Sequence, residues 1–205
     1  MAHPEDQQPL VATLKRVARA LEDTGKPYCL AGSFAVYARG GASVDHDVDF
    51  LIKEEDAEEI LASLERAGLR GEVPPEGWLV KVYDDVDNLV DLIYRPVQRP
   101  VTDETLADTD VIPVNALHMP VLSATQLMIH KILSFSPHHC DMSRALPVAR
   151  SLREQIDWGR VRRETAHSPY AQAFLYLADK LEIISLAELS GIDGDRLALL
   201  KEAAG

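Results

Sequence analysis

The sequence predicts an α+β fold in which a small, mixed, twisted sheet carries helices on one side and is followed by a C-terminal helical bundle. Two observations predict this class. Short apolar segments with the residue types of β-strands alternate with turn residues over the first 122 residues, and helical apolar spacing dominates the remainder. We therefore assign residues 1–122 to a core domain and residues 123–205 to a helical region.

The predicted core begins with an amphipathic helix. Leu10, Leu14, Val17 and Leu21 recur at helical spacing, and the helix ends near residues 25–27. Residues 68–77 are rich in Gly and Pro and are predicted to form a loop, and residues 84–88 are predicted to be a hairpin turn. The predicted strands are residues 28–31, 44–53, 78–83, 89–94, 111–114 and 119–122, and the predicted helices between them are residues 34–38 and 54–64.

The helical region is predicted to start at a capping box. Ser123 and Gln126 have the spacing of that motif, at the start of a helix that continues to Leu133. From Met142 onward, apolar spacing predicts more helices, among them residues 171–189 and 196–204. We expect these helices to pack against the sheet and to form one wall of a cleft.

Composition excludes several classes of protein. The 205 residues are 46% hydrophobic, yet no apolar run is long enough to cross a bilayer, and residues 1–8 do not resemble a secretory signal. Two cysteines, Cys29 and Cys140, do not make a disulfide framework. We expect a cytoplasmic protein with no membrane partner. The net charge of -12 argues against a broad basic face for nucleic acid and favours a cationic small molecule.

The first candidate motif is the turn at Gly32 and Ser33. It follows the apolar strand at residues 28–31 and opens a helix, so the order is strand, tight glycine turn and helix N-terminus. Glycine lets another group approach the backbone closely, and the unpaired N–H groups of a first helical turn attract anions. The turn therefore predicts a phosphate site.

The second motif is a row of aspartates. Asp45, Asp47 and Asp49 alternate with other residues, so on a strand they project to one face while Val48 and Phe50 project to the other. Like charges on one face repel each other and need a cation to offset them. Hard oxygen ligands of this kind suit Mg²⁺ or Mn²⁺.

The two motifs together resemble the nucleotidyltransferases of the DNA polymerase beta type. Their pattern is an apolar residue, Gly, Gly or Ser, a gap of about a dozen residues, and two carboxylates separated by one apolar residue. The segments that match this pattern are Leu30-Ala31-Gly32-Ser33 and Asp47-Val48-Asp49-Phe50. The resemblance also calls for a third carboxylate on a later strand.

Asp91 is the candidate for that third carboxylate. It is the one carboxylate inside the apolar strand at residues 89–94, where an unpaired charge is costly. Asp84, Asp85 and Asp87 compete with it, but they lie in the predicted turn, where aspartate is common for local hydrogen-bonding reasons. A shifted pair, Asp45 with Asp47, is an alternative to Asp47 with Asp49, which the apolar Val48 between them favours.

The resemblance implies a reaction and roles for its residues. It implies metal-dependent transfer of a nucleoside monophosphate from a nucleoside triphosphate such as ATP to an acceptor hydroxyl, with Asp47, Asp49 and Asp91 as catalytic residues and ligands of Mg²⁺ or Mn²⁺. Gly32 and Ser33 would bind the phosphates. Arg39 and Lys131 are further candidates for nucleotide binding, and each is equally compatible with an ordinary surface position.

The acceptor stays open between two kinds. One is a small hydroxylated molecule, for instance an aminoglycoside or a lincosamide. The other is RNA or a protein side chain, as in nucleotidyltransferase toxins that have an antitoxin partner, and six arginines between residues 144 and 163 keep RNA under consideration. A different class of function is a non-catalytic nucleotide-sensing or protein-binding module on the same fold. Three convergent carboxylates argue against such a module.

Overall fold

The computed structural model describes residues 8–41 and 47–189. Within these ranges, seven strands form one mixed sheet in the order β3-β4-β5-β2-β1-β7-β6. The strands are β1 Tyr28–Ala31, β2 Val48–Ile52, β3 Arg70–Glu72, β4 Leu79–Tyr83, β5 Leu89–Ile93, β6 Thr109–Val114 and β7 Leu117–Leu122.

The centre of the sheet is formed by β1 and β2, which pair antiparallel. Each of these two strands also pairs with a parallel strand on its outer side: β2 pairs with β5, and β1 pairs with β7. All four residues of β1 are buried, and four of the five residues of β2 are buried. This burial on both faces explains why the two strands read as nearly continuous apolar runs in the sequence.

The helices pack on the sheet and on one another. The first, α1, buries Leu14, Val17 and Leu21 completely and packs against α3. In the second half of the chain, α5 packs against α2, α7 and α8. The α-helices are α1 Gln8–Asp23, α2 Gly32–Ala38, α3 Ala57–Arg66, α4 Asp103–Ala107, α5 Ala124–Leu133, α6 Leu146–Ser151, α7 Trp158–Glu164, α8 Pro169–Lys180 and α9 Leu186–Leu189.

These elements confirm the predicted α+β class and most of its parts. The hairpin of β4 and β5 and the later pair β6 and β7 are present, and the Ser123 side chain accepts a hydrogen bond from the Gln126 N–H at the start of α5. None of the helices in the described ranges combines the length and the apolar character that a membrane span requires.

Two predicted segments differ in the structure. The predicted loop at residues 68–77 contains β3, a short edge strand that pairs with β4. Its middle residue, Gly71, has no side chain and lies against Leu61, so no apolar alternation marks it as a strand. The predicted helix at residues 171–189 is two helices, because the chain reverses at Glu182 with a φ of 56°. The predicted helix at residues 196–204 lies outside the described residues.

One hydrophobic core runs through both halves of the chain. Buried residues of the sheet, such as Phe50 and Leu92, and of the later helices, such as Ile129 and Phe174, belong to the same cluster. The proposed division at residue 122 falls between β7 and α5, and the apolar contacts continue across it. The helical region is therefore packed as part of one core.

A truncation at Phe174 tests this continuity. The ring is fully buried on α8, beside Phe135 at 6.1 Å between ring centroids. We expect Phe174→Ala to lower the free energy of unfolding by about 3–5 kcal/mol, because a large buried side chain is lost. In urea denaturation followed by circular dichroism and by tryptophan fluorescence, both signals should shift together in a single transition. Two separate transitions, with only one shifted, would contradict a shared core.

Candidate active site

Three carboxylates meet at one end of the central strands. The parallel pair β2 and β5 is in register, so that Asp49 lies directly beside Asp91, and Asp47 precedes β2 by one residue. Oxygen atoms of Asp47, Asp49 and Asp91 all lie within 4.8 Å of one another. We call these residues the carboxylate trio. The structure thus brings together the three acidic residues to which the sequence assigned the chemistry.

The electrostatics of the trio favour a cation. Asp91 is only 9% exposed, and its Oδ1 atom has no hydrogen-bond partner among the described residues. Burial raises the pKa of Asp91 above its ordinary value; Lys81 lowers it, and the charge of Asp47 raises it further. A buried carboxylate oxygen without a partner costs free energy unless a cation or a proton reaches it. The donor set, three carboxylates with hard oxygen atoms, fits Mg²⁺ or Mn²⁺.

Gly32 is required by the trio itself. Its φ is 58°, and a Cβ atom built on it would lie 1.7 Å from Oδ2 of Asp49. Any side chain at residue 32 would therefore collide with the carboxylate. The sequence predicted that this glycine admits a group close to the backbone, and the group present in the structure is the side chain of Asp49.

A cavity of about 440 Å³ is lined by two members of the trio, Asp47 and Asp49. Gly32 and Ser33 add to its polar lining. Its apolar lining includes Leu51, Ile93, Pro96 and Leu127. A volume of this size is within the range of small-molecule sites.

One face of α5 lines the cavity. Leu127, His130, Lys131 and Ser134 are spaced at i, i+3, i+4 and i+7 and all belong to the cavity wall. The predicted nucleotide-binding residue Lys131 is therefore on the same cavity as Gly32 and Ser33. Its ammonium group supplies a positive charge on the wall contributed by the helical region.

Two cavity residues were missed by the sequence analysis. Loss of solvent contact lowers the pKa of His130 to about 4, with Arg99 acting in the same direction, so its ring is neutral near pH 7. Arg144 also lines the cavity, close to α6. In the sequence it is one of six arginines between residues 144 and 163. Its place on the same cavity wall as Lys131 depends on tertiary packing, which no local pattern shows.

Arg39 lies elsewhere. Its side chain is 6% exposed and is not part of the cavity wall. The guanidinium donates to the carbonyl oxygens of Leu122 at 2.7 Å and Val121 at 2.9 Å, and to Asp110 at 2.8 Å. The structure therefore places this residue where it ties the end of α2 to β6 and β7, and it does not bring it to the trio.

The competing aspartates also have separate roles. Oδ1 of Asp84 accepts hydrogen bonds from the backbone N–H groups of Val86 and Asn88, which closes the hairpin turn. Asp85 pairs with Arg16 and Asp87 pairs with Arg70. The structure leaves these three in the turn, away from Asp47 and Asp49. Asp45, the alternative partner of Asp47, lies outside the described residues.

One known sequence family matches the part of the chain that contains the trio. Residues 13–99 match the sequence family described as aminoglycoside-2''-adenylyltransferase. This segment contains Gly32, Ser33 and the whole trio. No protein with a curated description matches the chain by sequence.

Solved structures of an antibiotic-resistance factor have a similar fold. The solution structure of the antibiotic-resistance factor ANT(2'')-Ia is 16% identical over 86% of this chain and 96% of its own, with a TM-score of 0.57. The crystal structure of ANT(2'')-Ia with adenylyl-2''-tobramycin is 15% identical over 82% of this chain and 98% of its own, also with a TM-score of 0.57. At this level of identity, the likeness establishes the fold.

A matched pair of glycine variants tests the contact between Gly32 and Asp49. Gly32→Ala and Gly77→Ala both place alanine at a positive φ, which costs about 1–2 kcal/mol of stability. Gly77 has open space around its Cβ position, whereas Gly32 does not. We expect only Gly32→Ala to weaken Mn²⁺ binding, by roughly ten- to hundredfold, because Asp49 is displaced. Equal Mn²⁺ affinities of the two variants in a calorimetric titration would contradict the assignment.

Arg39 variants distinguish a structural role from phosphate binding. Arg39→Met leaves two carbonyl oxygens without their donor, so we expect the free energy of unfolding to fall by about 2–4 kcal/mol. The affinity of the folded protein for ATP, measured by titration at low temperature, should stay within about twofold of the wild type. A large loss of ATP affinity without loss of stability would restore the phosphate-binding role that the sequence suggested.

Proposed function

We propose that the chain is a nucleotidyltransferase of the DNA polymerase beta superfamily, and that it transfers a nucleoside monophosphate from a nucleoside triphosphate to a hydroxyl group of a small molecule. The observation that carries the proposal is the carboxylate trio, which has oxygen atoms within 4.8 Å of one another, lies next to the Gly32 turn and contributes Asp47 and Asp49 to the lining of a cavity.

The trio performs the central task in this reaction. Attack of a hydroxyl group on the α-phosphate builds negative charge on the attacking and leaving oxygens. Divalent cations supply the stabilisation of that charge when they are bound. Asp47 and Asp49 would hold these ions, and Asp91 would complete the site on the side of the acceptor. The carboxylate of Asp91 would also take the proton of the acceptor hydroxyl.

The cavity wall orients the triphosphate. Gly32 and Ser33 would bind the β- and γ-phosphates through backbone N–H groups and the hydroxyl of Ser33. Lys131 on α5 and Arg144, two residues before α6, bring positive charge to the same cavity. These groups would thus fix the pyrophosphate, so that it leaves in line with the entering oxygen. The apolar surface of Leu51, Ile93 and Pro96 is left for the nucleoside.

A small acceptor is favoured by charge and by similarity. A net charge of -12 attracts cationic molecules and disfavours a broad contact with RNA. The segment with the trio matches the aminoglycoside-2''-adenylyltransferase family, and ANT(2'')-Ia, which shares the fold, carries adenylyl-2''-tobramycin in its crystal structure. We therefore infer ATP as the donor and a hydroxylated, amine-bearing compound of the aminoglycoside kind as the acceptor.

This function is tested by measuring the transfer of label from a nucleoside triphosphate to an acceptor. The protein is incubated with Mg²⁺ and α-labelled ATP, GTP, CTP or UTP, in parallel with an aminoglycoside and lincosamide panel, total RNA or a protein extract. Label in a small molecule, with release of pyrophosphate, supports the proposal. Label only in RNA or protein would replace the acceptor. Nucleotide binding without any transfer would favour the non-catalytic module.

Replacing each carboxylate of the trio by a carboxamide tests the contribution of the single residues to nucleotide transfer. We expect Asp47→Asn, Asp49→Asn and Asp91→Asn each to lower the rate of transfer on the order of a hundredfold or more, because each removes a charge that acts on the transition state. Asp87→Asn is the matched control, since its side chain is 82% exposed in the hairpin turn. Thermal melts verify that all four are folded. Full activity of any trio variant would refute its assigned role.

A further inference from the structure

A lysine lies in the same row of the sheet as the trio. In the antiparallel pair β4 and β5, Lys81 is directly opposite Asp91, and Asp91 is in turn beside Asp49 on β2. Residues opposite each other on neighbouring strands project to the same face, with Cβ atoms about 4.5–5.5 Å apart. Lys81, Asp91 and Asp49 therefore form one row across three strands.

On the trio side, the carboxylate opposite Lys81 is Asp91. The charge of Lys81 lowers the pKa of Asp91, yet among the residues that the structure describes Lys81 forms no ion pair within 4.0 Å and no side-chain hydrogen bond. On its other side, Glu72 of β3 is its register partner and is exposed. A half-buried cation thus lies beside Asp91, the member of the trio on the adjacent strand, and forms no ion pair with it.

Such a cation changes the energy of the site in two opposite ways. When no metal ion is present, the positive charge offsets part of the repulsion among Asp47, Asp49 and Asp91. When a divalent cation approaches, the same positive charge repels it. Lysine suits this task because its ammonium group is a compact charge on a flexible stem, which can move away from the trio toward Glu72 and solvent.

We propose that Lys81 is the built-in counter-ion of the carboxylate trio: it stabilises the metal-free site and weakens the binding of free divalent cations. The inference rests on the proposed function only in taking the trio as a metal site. It follows that the trio binds a metal ion carried by a nucleotide in preference to a free metal ion. The negative charge of the triphosphate offsets the repulsion between the metal ion and Lys81.

The test compares Mn²⁺ binding in the absence of nucleotide. Lys81→Met is titrated with Mn²⁺ by calorimetry and by electron paramagnetic resonance, beside the wild type, Lys81→Arg and Lys180→Met. Lys180 lies on α8, exposed and next to Asp179, so its loss removes the same charge far from β5. We expect Lys81→Met to bind Mn²⁺ roughly three- to thirtyfold tighter, as the loss of one charge near a divalent ion predicts. The two control variants should match the wild type.

Stability supplies a second readout. The metal-free Lys81→Met protein should melt at a lower temperature than Lys180→Met, and saturating Mn²⁺ should remove most of that difference. If Lys81→Met is not folded, Lys81→Gln serves in its place. Unchanged or weaker Mn²⁺ binding by the neutral variants would overturn the inference, as would an absence of Mn²⁺ binding by the wild type. Because no nucleotide is present, failure of the transfer reaction would leave these results intact.

Discussion

The mutual repulsion of Asp47, Asp49 and Asp91 is the constraint on which the arrangement of the site depends. Three carboxylates with oxygen atoms within 4.8 Å are unfavourable unless a positive charge is nearby, and Asp91 is nearly buried. The sheet imposes this proximity, since the parallel pairing of β2 and β5 places Asp49 beside Asp91 in register. Much of the surrounding structure either maintains that proximity or offsets its cost.

The β1–α2 turn shows how closely the surroundings are adapted. Oδ2 of Asp49 occupies the space that a side chain at residue 32 would need. Glycine at residue 32 is therefore required by the position of this carboxylate, in addition to any role in binding phosphate. The turn and the trio are therefore one unit. A motif that appears in the sequence as two separate segments, about a dozen residues apart, is in the structure a single contact between a glycine and an aspartate.

The helical region completes the site without carrying the trio. Lys131 on α5 and Arg144, which precedes α6, line the same cavity as Asp47 and Asp49. Arg39, by contrast, is used to fasten α2 to the backbone of β7. Two arginines that look alike in the sequence thus have different places, one on the cavity wall and one in the frame that supports it.

The sequence by itself determined the class of fold and most of the strands and helices, through apolar periodicity and turn residues. It also proposed the three aspartates, through the resemblance of the glycine turn and the alternating carboxylates to the polymerase beta pattern. Only the tertiary structure decided that Asp91 stands beside Asp49, that Lys81 lies in the same row, and that His130 and Arg144 line the cavity. Strand order and helix packing bring together residues far apart in the chain, and a local pattern does not encode which partners meet.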